Sequence, residues 1–156
     1  MTRILLIEDN EDDIELTKIA FARAHVTNEL LVARDGVEAL ELLHGSRDRE
    51  PLRPPAVVLL DLKLPRLDGL AVLERIRAHP STRLLPVVVL TSSAQERDLL
   101  QTYALGANSY IVKPVDFEQF LAAAQSIGMY WLKLNHPAPP AVVGTALPDP
   151  NEPSDR

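Results

Sequence analysis

The chain has no cysteine among its 156 residues. That absence removes disulfides, a thiol nucleophile and a thiolate metal site together. Aromatic residues make up only 4%, and they are not interleaved with basic residues as in a nucleic-acid platform. No basic stripe is present either. Sixteen basic against 22 acidic residues give a formal net charge of −6, which argues against nucleic acid as the main partner. No apolar run exceeds about five residues, so no membrane span is expected. The opening MTRILLIEDN turns acidic too soon for a signal peptide. The cytoplasm is the expected compartment.

What remains is 46% hydrophobic and 24% charged, enough for one domain with a full core. Ile4–Ile7, Val57–Leu60 and Val87–Leu90 are continuous apolar runs, and Leu30–Ala33 and Ser109–Val112 are shorter candidates. Runs without polar alternation read as strands buried on both faces. Helical patterns separate them. Asn10, Asp35 and Asp116 are placed to cap the first, second and fifth helices, and Asp68 the third. Gly45 stops the second, the third ends before Pro80, the fourth ends at Gly106, and the fifth extends to about Leu134. Strict alternation predicts an α/β domain with a doubly wound, five-stranded parallel sheet flanked by five helices. The domain is expected over residues 1–135, with 136–156 a proline-rich, extended or disordered tail.

In such sheets ligands bind beyond the carboxyl ends of the strands. Glu8 and Asp9, Asp61, Thr91 and Lys113 each follow one of the runs. Glu11, Asp12, Asp13 and Glu15 are assigned to the favourable dipole at a helix start. Glu8 and Asp9 precede the cap, so that explanation does not reach them. Adjacent carboxylates in a crevice repel unless a cation joins them, and Mg²⁺ takes such oxygen ligands. Asp61 has no capping task, because Asp68 has it, and is the candidate carboxylate nucleophile. The backbone carbonyl of Lys63 is a further candidate cation ligand. Thr91 has the alternative role of a helix cap, shared with Ser92 or Ser93. Lys113, between a buried strand and Pro114, is placed as a point charge for a phosphoryl group.

The segments IEDN, LLDLKLPRLDG, LTSS and YIVKP, with Pro65, Asp68–Gly69, Gly106–Ala107 and Pro114, resemble the receiver domain of two-component response regulators over about residues 3 to 130. The resemblance implies a flavodoxin-like sheet in the order 2-1-3-4-5. It implies that Asp61 accepts a phosphoryl group from a histidine kinase. Asp9, Asp61 and the Lys63 carbonyl would bind Mg²⁺, with Glu8 helping through water. Thr91 and Lys113 would hold the phosphoryl oxygens, Tyr110 would move inward on activation, and Lys63 and Ser93 would tune dephosphorylation. The family's usual cis Lys113–Pro114 bond is a further expectation. Glu8 stands where aspartate is commoner.

The long loop after the second helix and the aromatic end of the fifth resemble single-domain regulators paired with phytochrome-type histidine kinases. Members of that group dimerise through the face of the fourth helix, fifth strand and fifth helix. Output is therefore expected through protein contacts, by a phospho-accepting protein that catalyses only its own phosphorylation and dephosphorylation. Three rivals fare worse. A dehalogenase-type phosphatase needs an aspartate where Lys63 stands. A dinucleotide enzyme needs a glycine-rich turn that IEDNEDD lacks. A phosphorylation-independent pseudo-receiver usually lacks one of the five site residues, and all are present.

Overall fold

A computed structural model describes residues 2–139. Five strands, β1 (Ile4–Ile7), β2 (Leu30–Ala33), β3 (Val57–Leu60), β4 (Val87–Thr91) and β5 (Ser109–Val112), alternate with five helices. The helices are α1 (Glu11–Arg23), α2 (Gly36–His44), α3 (Gly69–Ala78), α4 (Glu96–Ala104) and α5 (Phe117–Ile127). All pairings are parallel, in the order β2-β1-β3-β4-β5. The expected class and strand order are met; β4 runs one residue beyond the expected Val87–Leu90, through Thr91, and α4 ends at Ala104, two residues before the expected Gly106. Most of the expected tail, residues 140–156, lies outside the described residues.

Successive side chains of the central strands enter opposite layers. Leu5, Ile7, Val58, Leu60, Val87 and Val89 meet Ala39, Leu42 and Leu43 of α2 and Val72, Leu73 and Ile76 of α3. Ile4, Leu6, Val57, Leu59, Val88 and Leu90 meet Ile14, Ala20 and Phe21 of α1 and Phe120, Ala124 and Ile127 of α5. Burial on both faces is the reason these strands read as unbroken apolar runs.

The caps are those the sequence implied. Asn10, Asp35, Asp68 and Asp116 each accept a backbone N–H in their helix's first turn. Gly45 ends α2 at φ 78°, a conformation that penalises a Cβ. Helix α4 differs: its N-cap Gln95 makes no side-chain cap. Its apolar residues Leu99, Leu100 and Tyr103 face outward, and only Thr102 is buried. After α5 the chain keeps turning through Gly128–Leu134, as expected, but in the wider π winding. Lys113–Pro114 is trans, since no described peptide bond is cis; the expectation of a cis bond is corrected.

Candidate functional site

Strand register builds the site. Ile7 pairs with Leu60, so the next residues, Glu8 and Asp61, emerge side by side from the two central strands. Thr91 pairs with Val112, and the Lys113 N–H donates to the Thr91 carbonyl at 2.7 Å. Helix α3 backs this edge closely. Its Gly69 N–H bonds the Leu62 carbonyl at 2.9 Å. A Cβ on Gly69 would lie 2.3 Å from the Asp61 carbonyl oxygen, so glycine is required for the helix to approach the aspartate.

Four side chains converge at the centre. The Lys113 ammonium donates to Glu8 Oε1, to Asp13 Oδ2 at 2.8 Å and to Asp61 Oδ2 at 3.2 Å. It is 12% exposed, Glu8 3% and Asp61 11% as side chains, so the cluster is largely withdrawn from water. Glu8 Oε2 accepts the Asp9 N–H at 3.1 Å, and Asp61 Oδ1 faces the Lys63 N–H at 3.4 Å. Oxygens of Glu8, Asp9 and Asp61 lie within 4.8 Å of one another, with Asp9 exposed at the mouth. Three carboxylates at that spacing are an oxygen donor set suited to a hard divalent cation.

The electrostatics of the buried pair follow from this packing. Burial pushes Glu8 up from the ordinary 4.5 to about 7; Lys113 opposes the rise, and the Asp61 charge adds to it. Burial would also raise Asp61, but the hydrogen bond from Glu8, the Lys113 charge and the Thr91 hydroxyl outweigh it and hold Asp61 below its usual range. Burial would lower Lys113, yet its bonds to Asp13 and Glu8 and the charges of Glu8 and Asp61 leave it raised. Without a cation, Glu8 and Asp61 form a coupled pair in which Glu8 is the partner that holds a proton, up to about pH 7. Asp61 stays ionised.

Glu8, Asp9, Asp61, Thr91 and Lys113 lie at the strand ends as expected, and Tyr110 lies within β5. Asp13 and Ser93 depart from their expected roles as helix-start acid and candidate cap. Asp13, assigned above to the helix dipole, turns into the cluster and binds Lys113. The sequence carried no signal for this beyond one acid among several. Ser93 is buried with its hydroxyl donating to Asp98 Oδ2 at 2.5 Å, so it faces α4 and is not that helix's cap. Thr91 is fully buried, its hydroxyl oxygen 3.4 Å from the Ser93 N–H. Tyr110 is half-buried and donates to the Ser93 carbonyl at 2.8 Å. Lys63 is exposed at the rim.

A parallel 2-1-3-4-5 sheet with an acid cluster, a threonine and a lysine on its carboxyl edge is the architecture of phospho-accepting receiver modules. Residues 4–125 match the response regulator receiver domain, and the chain belongs to that family. It is 41% identical over 140 residues to the probable methanogenesis regulatory protein FilR2 of Methanothrix harundinacea, covering 88% of each chain. It is 35% identical over 130 residues to response regulator Rcp1 of Synechocystis, covering 83% of this chain and 88% of that one. Among solved structures, the phosphorylated cyanobacterial phytochrome response regulator RcpA superposes with a TM-score of 0.82 at 36% identity, over 87% of this chain and 97% of that one. The Mn²⁺-bound form of Rcp1 gives 0.81 at 33% identity, over 89% and 100%. No helix among the described residues is long and apolar enough to cross a membrane.

Proposed function

We propose that Asp61 is the phosphoryl acceptor of this receiver domain, that Glu8, Asp9 and Asp61 with the Lys63 carbonyl hold Mg²⁺, and that the donor is a histidine kinase. The observation that carries this reading is the Lys113 ammonium, 3.2 Å from the Asp61 carboxylate among three cation-suited carboxylates. An Asp61 oxygen attacks phosphorus in line. The new O–P bond forms as the P–N bond of the partner's phosphohistidine breaks, and the imidazole leaves. Lys113 is placed to neutralise charge on the transferred group, so the protein contributes mainly position and electrostatics. When bound, the divalent cation supplies charge neutralisation between the carboxylates and the phosphoryl oxygens. The pocket catalyses only its own phosphorylation and dephosphorylation. Lys63 at the rim and Ser93 beside α4 tune the second.

Thr91 ends β4 and Ser93 lies on the loop that follows, where its carbonyl accepts from Tyr110. A phosphoryl oxygen that draws in the Thr91 hydroxyl moves this loop and biases the position of Tyr110. The affected face carries exposed Leu99, Leu100, Tyr103, Val112 and Val115 on α4, β5 and the loop after it. An apolar patch of that kind suits a protein partner, here a second copy of the chain. Similarity to RcpA, named a phytochrome response regulator, favours a phytochrome-type kinase and a cytoplasmic setting.

The test is labelling by acetyl phosphate with Mg²⁺. Wild type is expected to be labelled and Asp61→Asn is not; equal labelling would remove Asp61 as acceptor. Leu100→Glu is expected to shift a dimer toward monomer in sedimentation without loss of labelling.

A further inference from the structure

Asp13 occupies the third position of α1, where an acid ordinarily folds back onto the start of its own helix. Helix α2 does this. Its cap Asp35 accepts the Glu38 N–H at 2.8 Å, and Glu38 Oε2 accepts the Arg34 N–H at 3.1 Å. Helix α1 has the first half of the arrangement only: Asn10 accepts the Asp13 N–H at 3.0 Å. The Asp13 carboxylate points instead to Lys113 at 2.8 Å, and the nearby Asp9 and Asn10 N–H groups are approached by Glu8 Oε2 at 3.1 and 3.5 Å. Asp13 is therefore released from capping and given to the lysine.

An ammonium has three N–H donors, and here the three acceptors are Glu8, Asp13 and Asp61. Two of these belong to the oxygen cluster fitted for a cation, and Asp13 does not. From this we infer that Asp13 is a positioning residue for Lys113. It takes a share of the ammonium from Glu8 and Asp61 and so leaves their oxygens available to the divalent cation. The inference rests on the proposed function of the pocket. Removing Asp13 lets the ammonium fall wholly onto the cation's ligands and removes a nearby negative charge, and both changes weaken cation binding.

The experiment is a Mn²⁺ titration of the full chain followed by electron paramagnetic resonance. Asp13→Asn is expected to raise the dissociation constant about three- to tenfold, as for a partly screened charge pair. Asp13→Glu restores most of the affinity. Asp12→Asn removes the same formal charge from the same exposed helical turn without touching Lys113, and stays within about twofold of wild type. In a Lys113→Met background the Asp13→Asn effect shrinks, because its route is gone. If Asp13→Asn does not fold, Asp13→Ser replaces it. An Asp13 variant that binds Mn²⁺ like Asp12→Asn overturns the inference. Acetyl phosphate labelling of wild type and Asp61→Asn separates that result from failure of the receiver reading, because it does not depend on Asp13.

Discussion

Glu8 is predicted to destabilise the cation-free protein at neutral and alkaline pH, and Glu8→Gln to stabilise it. The folded protein holds the Glu8 proton up to about pH 7, whereas the ordinary value is 4.5. Between those limits the unfolded chain has lost the proton and the folded one has not. Stability therefore falls as pH rises from 4.5 to 7, and the loss is complete above 7. The gap, at about 1.36 kcal/mol per pH unit, corresponds to about 3 kcal/mol. Glutamine is neutral like the protonated acid and keeps a carbonyl to accept from Lys113. Its amide meets the Asp9 N–H that Glu8 Oε2 accepts, which holds the gain below the full value of about 3 kcal/mol. In chelator at pH 8 the variant should be more stable by about 2–3 kcal/mol, or about 5–10 °C in Tm. At pH 4.5 the two proteins should nearly coincide. Urea denaturation in EDTA across this range measures the difference. A variant less stable than wild type at pH 8, or a difference that does not change with pH, would refute the reasoning. Mg²⁺ at about a hundred times its Kd should bring the two proteins level, since it adds about 2.7 kcal/mol only to the protein that binds it.

Three further outcomes follow from other parts of the structure. His44 stacks on His79 at 4.0 Å and closes a 2.8 Å bond to Thr82 Oγ1, which itself donates to the Ile76 carbonyl. Burial and then the His79 charge lower His44 from 6.5 to about 4, so its contribution is full above pH 6.5 and is lost as pH falls toward 4. Wild type should lose about 2–3 kcal/mol relative to His44→Phe over that interval in denaturant titrations. Arg77 donates to the carbonyls of Gly106, Leu85 and Arg83 and to Asn108 Oδ1; Arg77→Lys cannot span them and should lower unfolding free energy by about 2–4 kcal/mol in urea. Gly69→Ala should lower stability by about 3 kcal/mol, because the added methyl meets the Asp61 carbonyl, and should depress acetyl phosphate labelling beyond what the loss of folded protein explains.

The sheet and four caps were legible because each rests on a local rule. A strand buried on both faces must be apolar throughout, and a helix start needs an acceptor for its free N–H groups. Glu8, Asp9, Asp61, Thr91 and Lys113 were legible for the complementary reason that a polar residue ending a buried run lacks a local explanation. Other features depend on neighbours distant in sequence. Leu99, Leu100 and Tyr103 look like core residues until α4 is placed, and then they face outward. Ser93 looks like a cap until Asp98 takes its hydroxyl.

Asp13 and Glu38 make the limit explicit. Both are acids three residues beyond an accepting cap, and the pattern rule assigns both the same task. Glu38 performs it, through the Arg34 N–H. Asp13 does not, because a half-buried lysine exactly 100 positions later arrives at its helix start with an N–H to place. Burial of a charge is costly unless it is paired, and that demand exceeds the modest gain from closing a cap, worth about 1 kcal/mol. The stronger, non-local requirement therefore decides the side chain. By the same ordering, Lys113→Met should release Asp13 toward its own helix start, and a crystal structure of that variant with Asp13 still directed into the pocket would contradict it.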